Sequence, residues 1–167
     1  MDHEFLTVVD NNDVVLGYST KADIKRRGLN CRCVQVFLFN ASGELLICRR
    51  PSDKKKFPNQ YASVMGYVRR GETYEDAAKR EVKEELGTLS RLSRITKFSI
   101  VDGGSRLFQE IYSGSVSGEL TLDKTEISET KYASIRDLRS DMVSNLNKYA
   151  PPFIEALRAY MKSKNIY

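Results

Sequence analysis

The stretch GETYEDAAKREVKEELGT, residues 71–88, decides how this chain is read. It has the composition of one helix, yet Glu81, Glu84 and Glu85 fall within little more than a turn of it. Like charges three and four residues apart each cost a helix a few tenths of a kcal/mol. On a helical wheel at about 100° per residue, with Glu81 at the origin, Glu85 falls at about +40° and Glu84 at about −60°. Tyr74, Ala77 and Ala78 share that sector, whereas Asp76, Lys79 and Lys83 occupy the far side. The acids therefore continue the small and apolar stripe of the helix. Glu75 with Lys79 and Asp76 with Arg80 fit a solvated face held by (i, i+4) ion pairs. Glu81 and Glu85 do not fit it. Crowded, partly desolvated carboxylates either take up protons or meet a cation. Arg80, four residues from Glu84, neutralises one of them. The remaining charge calls for a hard divalent ion, and oxygen donors without nearby His or Cys point to Mg2+ or Mn2+.

The rest of the chain bounds this reading. Its 167 residues, 41% hydrophobic and 29% charged, suit one domain with a sizeable core. No apolar run approaches the ~20 residues of a membrane span. The N-terminal MDHEFLTVVDNN is acidic and poor in apolar residues, unlike a secretion signal, so the cytoplasm is the expected compartment. Three cysteines (Cys31, Cys33 and Cys48) and a single histidine, His3, make neither a disulfide framework nor a thiolate–imidazole zinc site. Cys31 and Cys33 are expected to be buried small hydrophobes on opposite sides of a strand. The net charge of +5 suits an anionic ligand, and equally a merely soluble surface. Basic residues cluster at Arg49-Arg50, Lys54-Lys55-Lys56 and Arg69-Arg70 without interleaved aromatics, which argues against a nucleic-acid partner.

Element signals punctuate the chain. EFLTVVD and VVLGY flank the turn residues Asp10 to Asp13 and read as a pair of short strands. Thr20 is placed to cap a short helix that Gly28 stops. CVQVFLFN and ELLICRR are strands, a lysine-rich loop runs from Pro51 to Gln60, and YASVMGYV is extended. Strands follow near residues 95–101, 106–115 and 130–134, then a helix capped by Ser134 and a last helix opened by Pro151-Pro152. No repeat or linker divides the chain, so an α+β domain covering residues 1–167 is expected.

Gly66, Glu72 and the run Arg80-Glu81-Val82-Lys83-Glu84-Glu85-Leu86-Gly87 are spaced as in the Nudix box, G-x5-E-x7-R-E-U-x-E-E-x-G-U, which this chain resembles from residue 66 to 88. Thr88, in place of the final aliphatic residue, is the one departure. The resemblance implies a Nudix fold, a mixed β-sheet sandwiched between α-helices (α/β/α), and Mg2+-dependent hydrolysis of a diphosphate linked to another group, a nucleotide derivative or a related phosphorylated metabolite. By position, Glu81, Glu84 and Glu85 resemble the metal ligands, with Glu81 the first choice of base. Arg80 and Glu72 resemble the pair that holds the box loop. Gly66 permits a tight backbone, and the carbonyl of Met65 is a further donor. Glu110, Glu126 and Glu129 are the candidates for an assisting carboxylate outside the box. Arg50, Lys56 and Tyr67 are the candidate substrate contacts. Tyr61 and Tyr67 flank the expected cleft, either to stack on a base or ring or to brace the box helix. The last helix reads as a cover for the sheet, with a homodimer contact as the alternative.

Residues 4–88 also resemble the Nudix subgroup related to type 1 isopentenyl-diphosphate isomerase. That rival activity needs a cysteine and, two residues on, a metal-binding histidine. Here Met65 and Tyr67 stand in those places, and Cys31 stands where that family has another ligand histidine. A thioether cannot shuttle a proton, and a phenol with pKa ~10 is a poor neutral ligand. A non-catalytic sensor of a nucleotide or metabolite is the other alternative; such domains carry a damaged box, which this chain does not.

Overall fold

Strand β3 (Asn30–Phe39) is the spine of the sheet, because its alternating side chains are apolar on both faces. Val34, Val36 and Leu38 point to one helical layer and Phe37 to the other. The computed structural model describes residues 4–167, so the start of the segment weighed as a secretion signal and the single His3 lie outside the described residues. One edge of β3 runs parallel to β8 (Ser105–Ser115), which is paired in turn with β7 (Ser93–Asp102). The other edge meets β1 (Phe5–Val9), β6 (Val64–Tyr67) and β4 (Leu45–Arg49) in succession, all antiparallel. β2 (Val15–Thr20) extends the sheet beyond β1, while β5 (Tyr61–Ala62) and β9 (Glu129–Ala133) pair with β4.

Four helices complete the sandwich: α1 (Lys21–Arg27), α2 (Tyr74–Leu86), α3 (Ile135–Ser144) and α4 (Pro151–Ser163). The small residues Ala77 and Ala78, with Val82 and Leu86, seat α2 against Val34, Val36 and Leu38. Phe153, Ala156 and Leu157 of α4, with Leu138 of α3, cover Phe37, Ile47 and Ile111 on the opposite face. The expected α/β/α architecture is therefore the observed one, and α4 is a cover for the sheet. Thr20 and Ser134 cap their helices as read, each accepting from the backbone N–H three residues on. Among the described residues no helix is long and apolar enough to cross a membrane.

Three local expectations are corrected. Cys31 and Cys33 are buried on the same face of β3, as residues two apart in a strand must be, in a cluster with Leu6 and Ile24. YASVMGYV is two strands: Tyr61–Ala62 follows β4, and after Ser63 the chain changes partner to β3. Glu75 and Lys79 pair at 2.7 Å as expected, but Asp76 does not pair with Arg80. Asp76 instead completes a capping box with Thr73, its carboxylate accepting the Thr73 N–H at 3.0 Å, while Arg80 turns beneath the helix.

Asp13, which the sequence marked only as a turn residue, anchors the hairpin to the box helix. Its carboxylate is buried and accepts from Arg32 Nε at 2.7 Å, from the Tyr74 hydroxyl at 2.9 Å and from Lys97 Nζ. Arg32 Nη2 also donates to the Asp13 carbonyl at 2.7 Å. Burial alone would raise the carboxyl pKa; the hydrogen bonds from Lys97, Arg32 and Tyr74 outweigh it and hold the group below its ordinary value. Removing one partner of a buried, paired charge costs about 3 kcal/mol or more, so Asp13→Asn is expected to destabilise by about 3 kcal/mol at neutral pH. The depressed pKa gives a sign: the contribution is complete above the unfolded value of ~3.9 and is lost as pH falls below it. Urea denaturation of both proteins should show the gap at about pH 7 narrowing at about pH 3.

Candidate active site

The loop between β6 and α2 is fastened by Arg80. Its guanidinium forks onto Glu72, Nε to Oε1 at 2.6 Å and Nη2 to Oε2 at 3.0 Å, and Nη2 also donates to the Tyr67 carbonyl at 2.9 Å. Glu72 accepts the Arg69 N–H at 2.9 Å as well. Burial works to raise the Glu72 pKa, but these hydrogen bonds hold it below the usual carboxylate value. The third nitrogen, Nη1, contacts Glu81 at 2.5 Å and Glu84 at 3.3 Å. A single side chain thus links the loop to two acids of the helix.

Glu81 and Glu85 are buried, 9% and 8% exposed, as the wheel places them. Burial raises the pKa of Glu81, partly offset by Arg80. Glu85 is pushed well above its ordinary value, first by burial and then by the charges of Glu81 and Glu126. Of these two buried carboxylates only Glu81 has an arginine partner, Arg80, so the pair is short of positive charge and its oxygens suit a hard divalent cation. Glu84 lies differently: it is exposed and pairs with Arg69 at 3.1 Å. Among the described residues no three His, Cys, Asp or Glu side chains converge as a cage, and Glu84 is instead paired with Arg69 and Arg80. Gly66 has a negative or extended φ, and its necessity is spatial. A Cβ there would overlap the Glu81 carboxylate.

These groups floor a cleft of about 860 Å³. Arg50, Lys56 and Tyr67, the expected substrate contacts, all line it. Arg50 Nε donates to the Lys56 carbonyl at 3.0 Å, and Lys56 Nζ pairs with Asp102 at 2.7 Å. Tyr67 carries Lys21 Nζ at 4.9 Å from its ring centroid, and burial raises its phenol pKa. Tyr61 is not part of the lining; its hydroxyl donates to Glu129 at 2.8 Å. Of the three carboxylates outside the box, only Glu126 reaches the cleft, paired with Lys54 at 2.7 Å. Glu110 pairs with Arg94 at 3.0 Å and accepts from Tyr112 at 2.7 Å, away from the cleft. Arg69 was legible only as half of a basic doublet, with no signal that it would meet Glu84.

Known proteins resemble this chain in sequence and in fold. The NUDIX domain model matches residues 29–157. The uncharacterized Nudix hydrolase PA4841 of Pseudomonas aeruginosa is 35% identical over 163 residues, covering 96% of this chain and 95% of that one. The isopentenyl-diphosphate Delta-isomerase 2 of Photorhabdus laumondii is 29% identical over 143 residues, 82% of this chain and 81% of that one. The crystal structure of DR0079 from Deinococcus radiodurans superposes with a TM-score of 0.82 at 27% identity, covering 94% of this chain and 99% of that one. The chain belongs to the Nudix hydrolase family, whose members in general hydrolyse pyrophosphate linkages with divalent metals such as Mg2+.

Substituting Gly66→Ala should leave the fold intact, since the clash is with the end of a movable side chain. It should displace Glu81, and misplacing a reacting group by about 1 Å costs about 100-fold in rate. Turnover measured beside the melting temperature tests this: a large drop in the first with little change in the second is expected.

Proposed function

We propose that the chain hydrolyses, with Mg2+, the pyrophosphate bond of a nucleoside diphosphate joined to another group, or of a related phosphorylated metabolite. The observation that supports this reading is the buried Glu81–Glu85 pair at the floor of a cleft whose walls carry Arg50 and Lys56. Glu81, Glu85 and, once turned inward, Glu84 would hold the ion, with the Met65 carbonyl as a further donor and Mn2+ as a substitute. Such an ion supplies charge neutralisation, alignment for in-line attack and a more acidic water.

The chain's own residues do the rest. Glu81, fixed by Arg80 and lying against Gly66, accepts the proton of the attacking water. Arg50 and Lys56 bind phosphate oxygens, and Tyr67 offers a flat surface to a base or ring. Isomerase chemistry is disfavoured because Met65 lines the cleft where a proton-carrying thiol would be needed. The free cysteines Cys31, Cys33 and Cys48 are all buried, which suits a reducing compartment such as the cytoplasm.

The test is phosphate release from a panel of nucleoside di- and triphosphates, nucleotide sugars, dinucleotides and isopentenyl diphosphate, with Mg2+ and with EDTA. Release that EDTA stops, and that Glu84→Gln and Glu85→Gln each nearly abolish, is the expected result. Near-normal turnover in both variants would overturn the assignment of the carboxylates. Silence across the panel with tight binding of one member would make the domain a sensor. In EDTA, Glu85→Gln should melt no lower than the native protein, because it removes a buried repulsion instead of an attraction.

A further inference from the structure

Two cations line the cleft while engaged to carboxylates of the acidic cluster. Arg69 Nη1 lies 3.1 Å from Glu84 and Lys54 Nζ lies 2.7 Å from Glu126. They come from separate loops, residues 68–73 before α2 and residues 50–60 after β4. Arg69 also contacts Glu4 at the cleft edge. Arg80 differs from both, because its fork onto Glu72 and the Tyr67 carbonyl fixes it within the loop. The movable positive charge at the acids is therefore that of Arg69 and Lys54. A divalent ion brings the same two charges these side chains supply together.

We propose that Arg69 and Lys54 are exchange cations: they neutralise Glu84 and Glu126 until a divalent ion takes those carboxylates, and then bind the phosphates of the substrate. This rests on the reading of the cleft as a metal-dependent diphosphate site. The exchange is most favourable when both ligands arrive. Metal alone must break the Lys54–Glu126 pair and the pairs of Glu84 with Arg69 and Arg80, and a diphosphate alone must compete with Glu84 and Glu126 for Arg69 and Lys54. Together each ligand releases what the other needs, so metal and diphosphate bind with positive coupling. By linkage, each must raise the affinity of the other by the same factor. The exposure of Glu84 and Glu126 lets the pairs open without unpacking the core, unlike Glu81 and Glu85 beneath them. Lys55 is the built-in comparison, since it lines the same cleft and makes no ion pair among the described residues.

Isothermal titration calorimetry with Mn2+ and the non-hydrolysable methylenediphosphonate tests the proposal without turnover. Each ligand is titrated alone and in the presence of the other, on native protein and on Lys54→Gln, Arg69→Gln and Lys55→Gln. Association of the two ligands in solution is common to all four proteins and cancels in the comparison. The expected result is that Lys54→Gln and Arg69→Gln bind Mn2+ alone at least as tightly as native. Their metal–diphosphonate coupling factor should fall about tenfold, within the usual span of such couplings. Lys55→Gln should keep the native coupling. An unchanged coupling factor in both variants, or weaker Mn2+ binding in them, would overturn the exchange role while leaving the metal site in place. Failure of the native protein to bind Mn2+ at all would instead overturn the metal-dependent reading, and the exchange role with it.

Discussion

Arg80 reaches from the middle of α2 back to the loop that precedes the helix, and the placement of the other groups at the site follows from that reach. Three of its nitrogens are used, on Glu72, the Tyr67 carbonyl, Glu81 and Glu84. A planar fork can hold a carboxylate in two bonds and still present an edge to a second acid; an ammonium group cannot. The loop is thereby registered against the helix, which brings Gly66 under Glu81. That contact leaves no room for a side chain at residue 66 unless Glu81 is displaced. The box is thus one mechanical unit, although its residues are scattered over more than a turn of loop and most of a helix.

Around that unit the sheet does two jobs with one strand. β3 gives alternate side chains to the α2 layer and the α4 layer, so the box helix is pressed onto a surface buttressed from behind. The small residues Ala77 and Ala78 let α2 sit close, and Asp13 ties the first residue of the helix, Tyr74, to β3 and β7 through Arg32 and Lys97. The two buried glutamates are held by packing on all sides except the cleft. Arg80 offsets the charge of Glu81 in part, whereas Glu85 has no ion pair among the described residues and is held in place by the surrounding core.

Much of this was legible in the sequence because it is local. The helix wheel separated Glu81 and Glu85 from Lys79 and Lys83, and caps at Thr20 and Ser134 lie three residues from their partners. The missed features are those whose partners are distant along the chain. Nothing near Asp13 announces Arg32 or Lys97, and nothing near Arg69 announces Glu84. Asp76 was assigned to Arg80 on spacing alone, and two competitors won: Thr73 offered Asp76 a backbone N–H, and Glu72 offered Arg80 a fork. Glu110, Glu126 and Glu129 could not be told apart by reading, because strand register and the path of the loop before β9 decide which of them reaches the cleft. The same-face burial of Cys31 and Cys33 needed only the period of a strand, and there the expectation misapplied a rule that the sequence obeys.

The parallel pairing of β3 with β8 joins Cys31 to Leu107 and Phe39 to Ser115, so the centre of the sheet is stitched from segments about half the chain apart. Parallel pairs of this kind close a long loop before any hydrogen bond rewards it. During synthesis β3 therefore emerges with the backbone N–H and C=O groups of one edge unpaired and waits until β8 has left the ribosome, by which time the whole box has been made. The helix that carries the acids is complete before the sheet that buries them. Its crowded glutamates spend that interval in water, where their repulsion is weakest.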